Sequence, residues 1–101
     1  MSETNAEMAA VREKIDSLDE ALVKLLSERQ RQIEAAAEIK SRIGWPARIK
    51  PRVEEVLEHV AAEAEEHDLD PGLARSLWSA LIEWSIAYEE RLMRKSETES
   101  E

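Results

Sequence analysis

Residues 11–29 read VREKIDSLDEALVKLLSER, and this stretch decides the fold. Its apolar side chains recur at alternating intervals of three and four residues, which is typical of an amphipathic helix packed along another helix. These side chains are Val11, Ile15, Leu18, Leu22 and Leu25. Residues 4–43 contain neither Gly nor Pro, and Thr4 and Glu7 have the spacing of a capping box. We therefore predict one helix of about 38 residues that begins near residue 5.

Two cations interrupt the apolar stripe farther along this helix. Arg29 and Lys40 occupy positions where the spacing calls for hydrophobic residues. At about 100° per residue their directions differ by only about 20°, over a rise of roughly 16 Å. Two unpaired cations that face a core are costly unless an anion lies between them. The pattern therefore predicts a buried anion site.

Two shorter helices complete an all-α prediction with three helices. Residues 44–51 read GWPARIKP and combine a helix-ending glycine with two prolines, so they predict a loop, with Pro51 in the first turn of the second helix. Asp70 before Pro71 predicts the cap and first residue of a third helix. Its apolar positions continue to about Met93.

The length of the first helix predicts an obligate homodimer. A compact chain of this size has a radius of gyration near 13 Å, whereas a forty-residue helix is about 60 Å long. Such a helix needs a second copy of the chain to cover its apolar stripe. We expect a single domain over residues 1–95, followed by a flexible acidic tail over residues 96–101.

Composition excludes several classes of function. The net charge of −9 argues against nucleic acid or anionic membrane as a partner, although a small anion can bind where a few cations gather in a dry pocket. The chain has no Cys and two Gly, which excludes thiolate chemistry and a glycine-rich phosphate loop. His59 and His67 lack the spacing of a metal site. With no apolar run of membrane-spanning length and no leader pattern, we expect a cytoplasmic protein without metal or cofactor.

Polar positions in register along the three helices point to one family. They comprise residues 11–19 (VREKIDSLD), residues 25–29 (LLSER), Lys40, Arg52 and residues 82–89 (IEWSIAYE). Together these residues resemble the all-helical class of chorismate mutases and the related isochorismate-pyruvate lyases. The resemblance extends over nearly the whole chain.

This resemblance implies an intertwined helical homodimer that binds a small dianionic substrate, chorismate or isochorismate, without a cofactor. It assigns substrate-binding roles to Arg12 from the partner subunit, Arg29, Lys40, Arg52, Ser85 and Glu89. Within that set it assigns catalytic roles to Lys40, Glu89 and Arg29. Geometry agrees for Arg12, because it points about 100° away from Arg29 on a straight helix and is therefore available to the neighbouring subunit.

The expected reaction is the rearrangement of chorismate to prephenate within one molecule. Lys40 is expected to donate to the ether oxygen as negative charge develops there, which is typically worth roughly 3 kcal/mol. Many relatives have a neutral amide at the position of Glu89, so this carboxyl must carry a proton in order to donate to the same oxygen. We therefore expect activity to fall as pH rises, and Glu89→Gln to flatten the profile.

Two alternatives remain open at this point. Ile49 and Val53 are apolar where many mutases have carboxylates, a feature closer to the salicylate-forming isochorismate-pyruvate lyases. The mutase is preferred because it is the commoner activity of this scaffold. A helical dimerisation module without chemistry is the second alternative, since each charged residue taken alone could be a snorkelling or surface side chain.

Overall fold

Three α-helices account for almost all of the described backbone. The computed structural model describes residues 2–100, and side chains within residues 5–97. Helix α1 is Ser2–Ile43, α2 is Lys50–Glu66 and α3 is Pro71–Ser100. No strand occurs within the described backbone, so the all-α prediction with three helices is confirmed. None of these helices, over its described residues, combines the length and apolar character that crossing a bilayer requires.

The chain forms two compact units, Met1–Gln32 and Ile33–Glu101. The described residues of the first unit form a single helical segment, and the apolar side chains of its predicted stripe are solvent-exposed. The exposed side chains are Val11, Ile15, Leu18, Leu22 and Leu25, with Leu18 reaching 63% exposure. Because these apolar side chains are exposed, the stripe is available for burial against another surface.

Helix α1 ends as the sequence predicts but begins earlier. Gly44 has φ +79°, and the Trp45 amide donates to the Lys40 carbonyl over 2.9 Å, which is the bonding of a Schellman motif. Only a residue without a Cβ adopts this backbone conformation at little cost. The predicted start near residue 5 was wrong, because the helical backbone begins at Ser2. The side chain of Thr4, on which the capping box depends, lies outside the described side chains.

Helix α2 has a proline in its first turn and a strained residue after its last. Pro51 follows Lys50 directly, as predicted, and needs no amide partner there. At the other end, Asp68 has φ +57° and the Leu69 amide donates to the Ala64 carbonyl over 2.7 Å. A second Schellman motif therefore ends this helix, with an aspartate at the position that glycine usually occupies.

Helix α3 begins at its predicted cap and continues past its predicted end. The Gly72 amide donates to Asp70 Oδ1 over 2.9 Å, so Asp70 caps the first turn. The predicted end at Met93 was wrong, because the backbone is helical to Ser100. The sequence pattern ended the helix where its apolar positions stop, but Lys and Glu favour helix without burying a face.

The core of the second unit lies between α2, α3 and the loop that joins α1 to α2. Its buried centre consists of Ala47, Ile82 and Ile86. Half-buried side chains surround this centre, namely Val53, Val56, Leu57, Trp78 and Met93. A second line of α3 remains exposed, with Leu73, Leu77 and Trp84 each close to half accessible. Helix α3 therefore has one apolar side covered within the chain and another uncovered.

Candidate active site

Among the described side chains of the second unit, the most buried charged groups form an ion pair between α1 and α3. Lys40 Nζ lies 2.7 Å from Glu89 Oε1, and the two side chains are 17% and 5% exposed. Lys40 is in the last turn of α1, where a cation also interacts favourably with the helix dipole. The resemblance paired these two residues at one substrate atom, and they are in direct contact here.

The Lys40 ammonium keeps one donor that the described part of the chain does not use. An ammonium group has three N–H donors. One donates to Glu89 and a second donates to the Ala47 carbonyl over 2.8 Å. No third acceptor for Lys40 occurs among the described residues, so the remaining N–H is available to a ligand.

The loop after α1 supplies the carbonyl that holds Lys40. Ala47 is 6% exposed and packs against Ile82 and Ile86, which fixes the position of its backbone. The next residue, Arg48, forms a two-pronged pair with Glu83 of α3, with Nη1 3.0 Å from Oε1 and Nη2 2.5 Å from Oε2. No sequence pattern predicted this pair, because it joins residues 35 positions apart and depends on the path of the loop.

The Arg48–Glu83 pair stabilises the charged form of each group. Hydrogen bonding from Arg48, together with its charge, holds the pKa of Glu83 below its ordinary value. The hydrogen bond to Glu83 raises the pKa of Arg48 in turn. Both side chains are more than half exposed, so solvent screening limits what the pair contributes to the free energy of unfolding.

Ser85 lies one helical turn before Glu89 and on the same buried side of α3. The two residues are 3% and 4% exposed, the only buried polar side chains among those described. Ser85 Oγ donates to the Leu81 carbonyl over 2.8 Å, a common resting state for a hydroxyl within a helix. A buried hydroxyl beside a buried ion pair is an arrangement that suits recognition of a polar ligand.

Arg52 does not join this cluster in the structure. Its guanidinium forms an ion pair with Glu55 one turn along α2, and its side chain is 66% exposed. A surface pair of this kind contributes little to stability and is easily exchanged for another anion.

The remaining predicted cations belong to the first unit. Arg29 is half-buried, whereas Arg12 is exposed. Arg29 occupies the apolar stripe at the position where the spacing predicted an inward-facing cation, and its burial exceeds that of every stripe residue before it.

A second polar contact between α1 and α3 was also missed from the sequence. Tyr88 donates from its hydroxyl to Glu34 Oε2 over 2.6 Å, and its ring lies 4.9 Å from that of Trp84 and under the Arg91 guanidinium. Tyr88 directly precedes Glu89, so this bond helps to fix the part of α3 that carries the buried carboxylate.

One group of possible metal ligands occurs among the described residues. Glu63, Glu66 and His67 place their ligand atoms within 4.8 Å of one another at the end of α2. All three side chains are exposed, and His67 already pairs with Glu63 at 3.5 Å. Clusters of this kind are common on acidic surfaces and are not a reason to expect a metal.

The sequence pattern of the family described as chorismate mutase type II matches residues 11–90, a span that includes Lys40, Ser85 and Glu89. This chain belongs to the chorismate mutase type II family. The chain is also similar to the chorismate mutase of Methanocaldococcus jannaschii, with 26% identity over 93 residues that cover 92% of this chain and 94% of the relative.

A longer relative has a matching region within it. The T-protein of Enterobacter agglomerans is 33% identical over 84 residues, which cover 83% of this chain but 22% of the T-protein. The chorismate mutase family therefore accounts for most of this chain, including the segment that holds the Lys40–Glu89 pair.

Proposed function

We propose that this chain rearranges chorismate to prephenate, with Lys40 as the main electrostatic catalyst. The observation that carries the proposal is the Lys40 ammonium, which uses two of its three N–H donors on Glu89 and the Ala47 carbonyl and keeps one for a ligand. Chorismate is the expected substrate because the chain belongs to the chorismate mutase type II family.

The chemistry needs a donor at one atom of the substrate. In this rearrangement the bond from carbon to the ether oxygen lengthens, and negative charge gathers on that oxygen. A hydrogen bond that strengthens as this charge develops lowers the barrier, and it acts most strongly in a site that excludes water. Lys40 meets both requirements, since its side chain is largely buried and two acceptors fix its direction.

The two carboxylates of the substrate need cationic and hydroxyl partners. We assign this role to Arg29 and Arg52 of one subunit, to Arg12 of the partner subunit, and to the Ser85 hydroxyl. Arginine suits the role because its planar fork matches a carboxylate. Binding would require Arg52 to exchange Glu55 for the substrate, which a surface pair allows at small cost.

An intertwined homodimer is part of the same proposal. Two exposed apolar surfaces support it, namely the stripe of the first unit and the uncovered line of α3 formed by Leu73, Leu77 and Trp84. A second copy of the chain is the proposed occupant, because Arg12 points about 100° away from Arg29 on a straight helix and is therefore available to the site of the partner subunit. Sedimentation should give a dimer, and a monomer at micromolar concentration would contradict this part of the proposal.

The proposed activity is tested by supplying chorismate and isochorismate separately and identifying the products. We expect prephenate from chorismate. Salicylate and pyruvate formed from isochorismate, without prephenate from chorismate, would instead assign the chain to the lyase branch. Failure to convert either substrate would support a dimerisation module and reject the proposal.

A further inference from the structure

The loop that holds Lys40 is itself attached to α3 by an exposed ion pair. The Ala47 carbonyl accepts a hydrogen bond from Lys40, and the adjacent Arg48 forms a bidentate ion pair with Glu83. Glu83 and Glu89 both project from α3, so one helix fixes the ammonium directly through Glu89 and indirectly through the loop.

We propose that Arg48 and Glu83 are positioning residues that aim the Lys40 ammonium by fixing the Ala47 carbonyl. This inference rests on the proposed function, because the ammonium is aimed at the ether oxygen of the substrate. Neither Arg48 nor Glu83 touches the ammonium or needs to touch the substrate.

The direction of the Lys40 ammonium depends on the acceptors that hold it. A lysine ammonium sits at the end of a flexible stem and rotates unless acceptors fix it. With only Glu89 as acceptor, the group could swing about that single contact, and the N–H intended for the ligand would lose its direction. The Ala47 carbonyl supplies the second fixed point, and a shift of about 1 Å in a reacting group is enough to slow catalysis.

The two-pronged geometry explains why an exposed pair can hold a loop. A guanidinium bonded through both nitrogens to both carboxylate oxygens resists rotation, whereas a lysine would make a single point contact. The pair contributes little to global stability at this exposure. Its loss should therefore change the rate of catalysis more than the melting temperature.

Two variants of opposite charge change separate positioning from simple electrostatics. Arg48→Met removes a positive charge near the site, whereas Glu83→Gln removes a negative one, and both break the two-pronged pair. We expect each to lower kcat about three- to fivefold, which corresponds to the upper range for an exposed pair, with KM changed less than twofold. Arg48→Lys should lie between Arg48→Met and the wild type.

The matched control is Arg75→Met, which removes an exposed arginine from α3 and should leave kcat unchanged. The exchanged pair Arg48→Glu/Glu83→Arg should recover more than half of the lost kcat. The Arg52 and Val53 amides donate to the Ile49 carbonyl at the end of the loop, so their hydrogen exchange should become faster in Arg48→Met and stay unchanged in Arg75→Met.

The outcomes distinguish this inference from the proposed function. A wild type without activity on chorismate would reject both. Normal wild-type activity with unchanged kcat in Arg48→Met and Glu83→Gln would reject the inference alone. Changes of kcat in opposite directions in the two variants would indicate a charge effect and reject positioning. A lower kcat without faster hydrogen exchange of the Arg52 and Val53 amides would also reject it.

Discussion

Replacing Lys40 with methionine tests two consequences of one buried ion pair. Methionine keeps much of the length of the side chain and removes its charge and donors. The change should leave the Glu89 carboxylate, whose side chain is 5% exposed, without its ion-pair partner. It should also remove the donor proposed for the ether oxygen. The two effects are measured separately, one as stability and the other as rate.

The stability effect follows from the burial of the pair. Removing one member of a buried ion pair commonly costs about 3–5 kcal/mol, because the other charge is left without a partner. Lys40 is 17% exposed, so water can partly replace it, and we expect a loss of roughly 2–4 kcal/mol. The Ala47 carbonyl also loses its donor, a contribution included in this range. Urea unfolding at fixed protein concentration measures the difference.

The double variant Lys40→Met/Glu89→Met separates stability from catalysis. It removes both charges and fills the space with apolar atoms, so most of the lost stability should return. Activity should not return, because the donor is still absent. We expect kcat to fall by at least about a hundredfold in both variants, equivalent to roughly 3 kcal/mol in the barrier.

The assay follows the disappearance of chorismate absorbance under conditions where each variant is folded. A stable Lys40→Met variant that retains kcat within tenfold of the wild type would refute the proposed role of Lys40. If Lys40→Met is no less stable than the wild type, the argument from the burial of Glu89 is wrong.

The other predictions concern the helix caps and the surface pair. Asp68→Gly should raise the free energy of unfolding by about 0.5–1 kcal/mol, because glycine adopts φ +57° without strain. Asp70→Ala should lower it by about 1 kcal/mol, because the helix cap is lost. Thermal unfolding tests both, and changes of the opposite sign would contradict the capping assignments. The pKa of Glu83 is lowered in the folded chain, so its contribution to stability is present above its unfolded pKa and is lost as pH falls through the folded pKa. Glu83→Gln should therefore reduce the dependence of unfolding on acid pH. The same dependence in the variant and the wild type would show that the pair does not contribute.

The sequence predicted the helices well because their signals are local. Gly44 and Asp70 mark a helix end and a helix start through their own backbone and side-chain chemistry, and the structure confirms both. The ends at Ser2 and Ser100 were missed because polar residues can extend a helix without an apolar pattern.

The site was only partly predictable because its contacts join residues that are distant in the sequence. The pairing of Lys40 with Glu89 came from the family resemblance and not from spacing, since the two lie on different helices. The pair of Arg48 and Glu83 and the carbonyl of Ala47 gave no signal at all, because the route of a loop determines those contacts. How Arg12 and Arg29 contribute depends on the proposed dimer and stays a prediction.

Subunit mixing tests the central claim most directly. Arg12→Met and Lys40→Met subunits are each expected to be nearly inactive alone, and a mixed dimer has one site with all of its cations and one site lacking both. Random pairing makes half of the dimers mixed, so co-refolded subunits should regain about a quarter of wild-type prephenate formation. No recovery in dimers confirmed to contain both subunits would contradict a site that takes Arg12 from the partner subunit and uses Lys40 to rearrange chorismate.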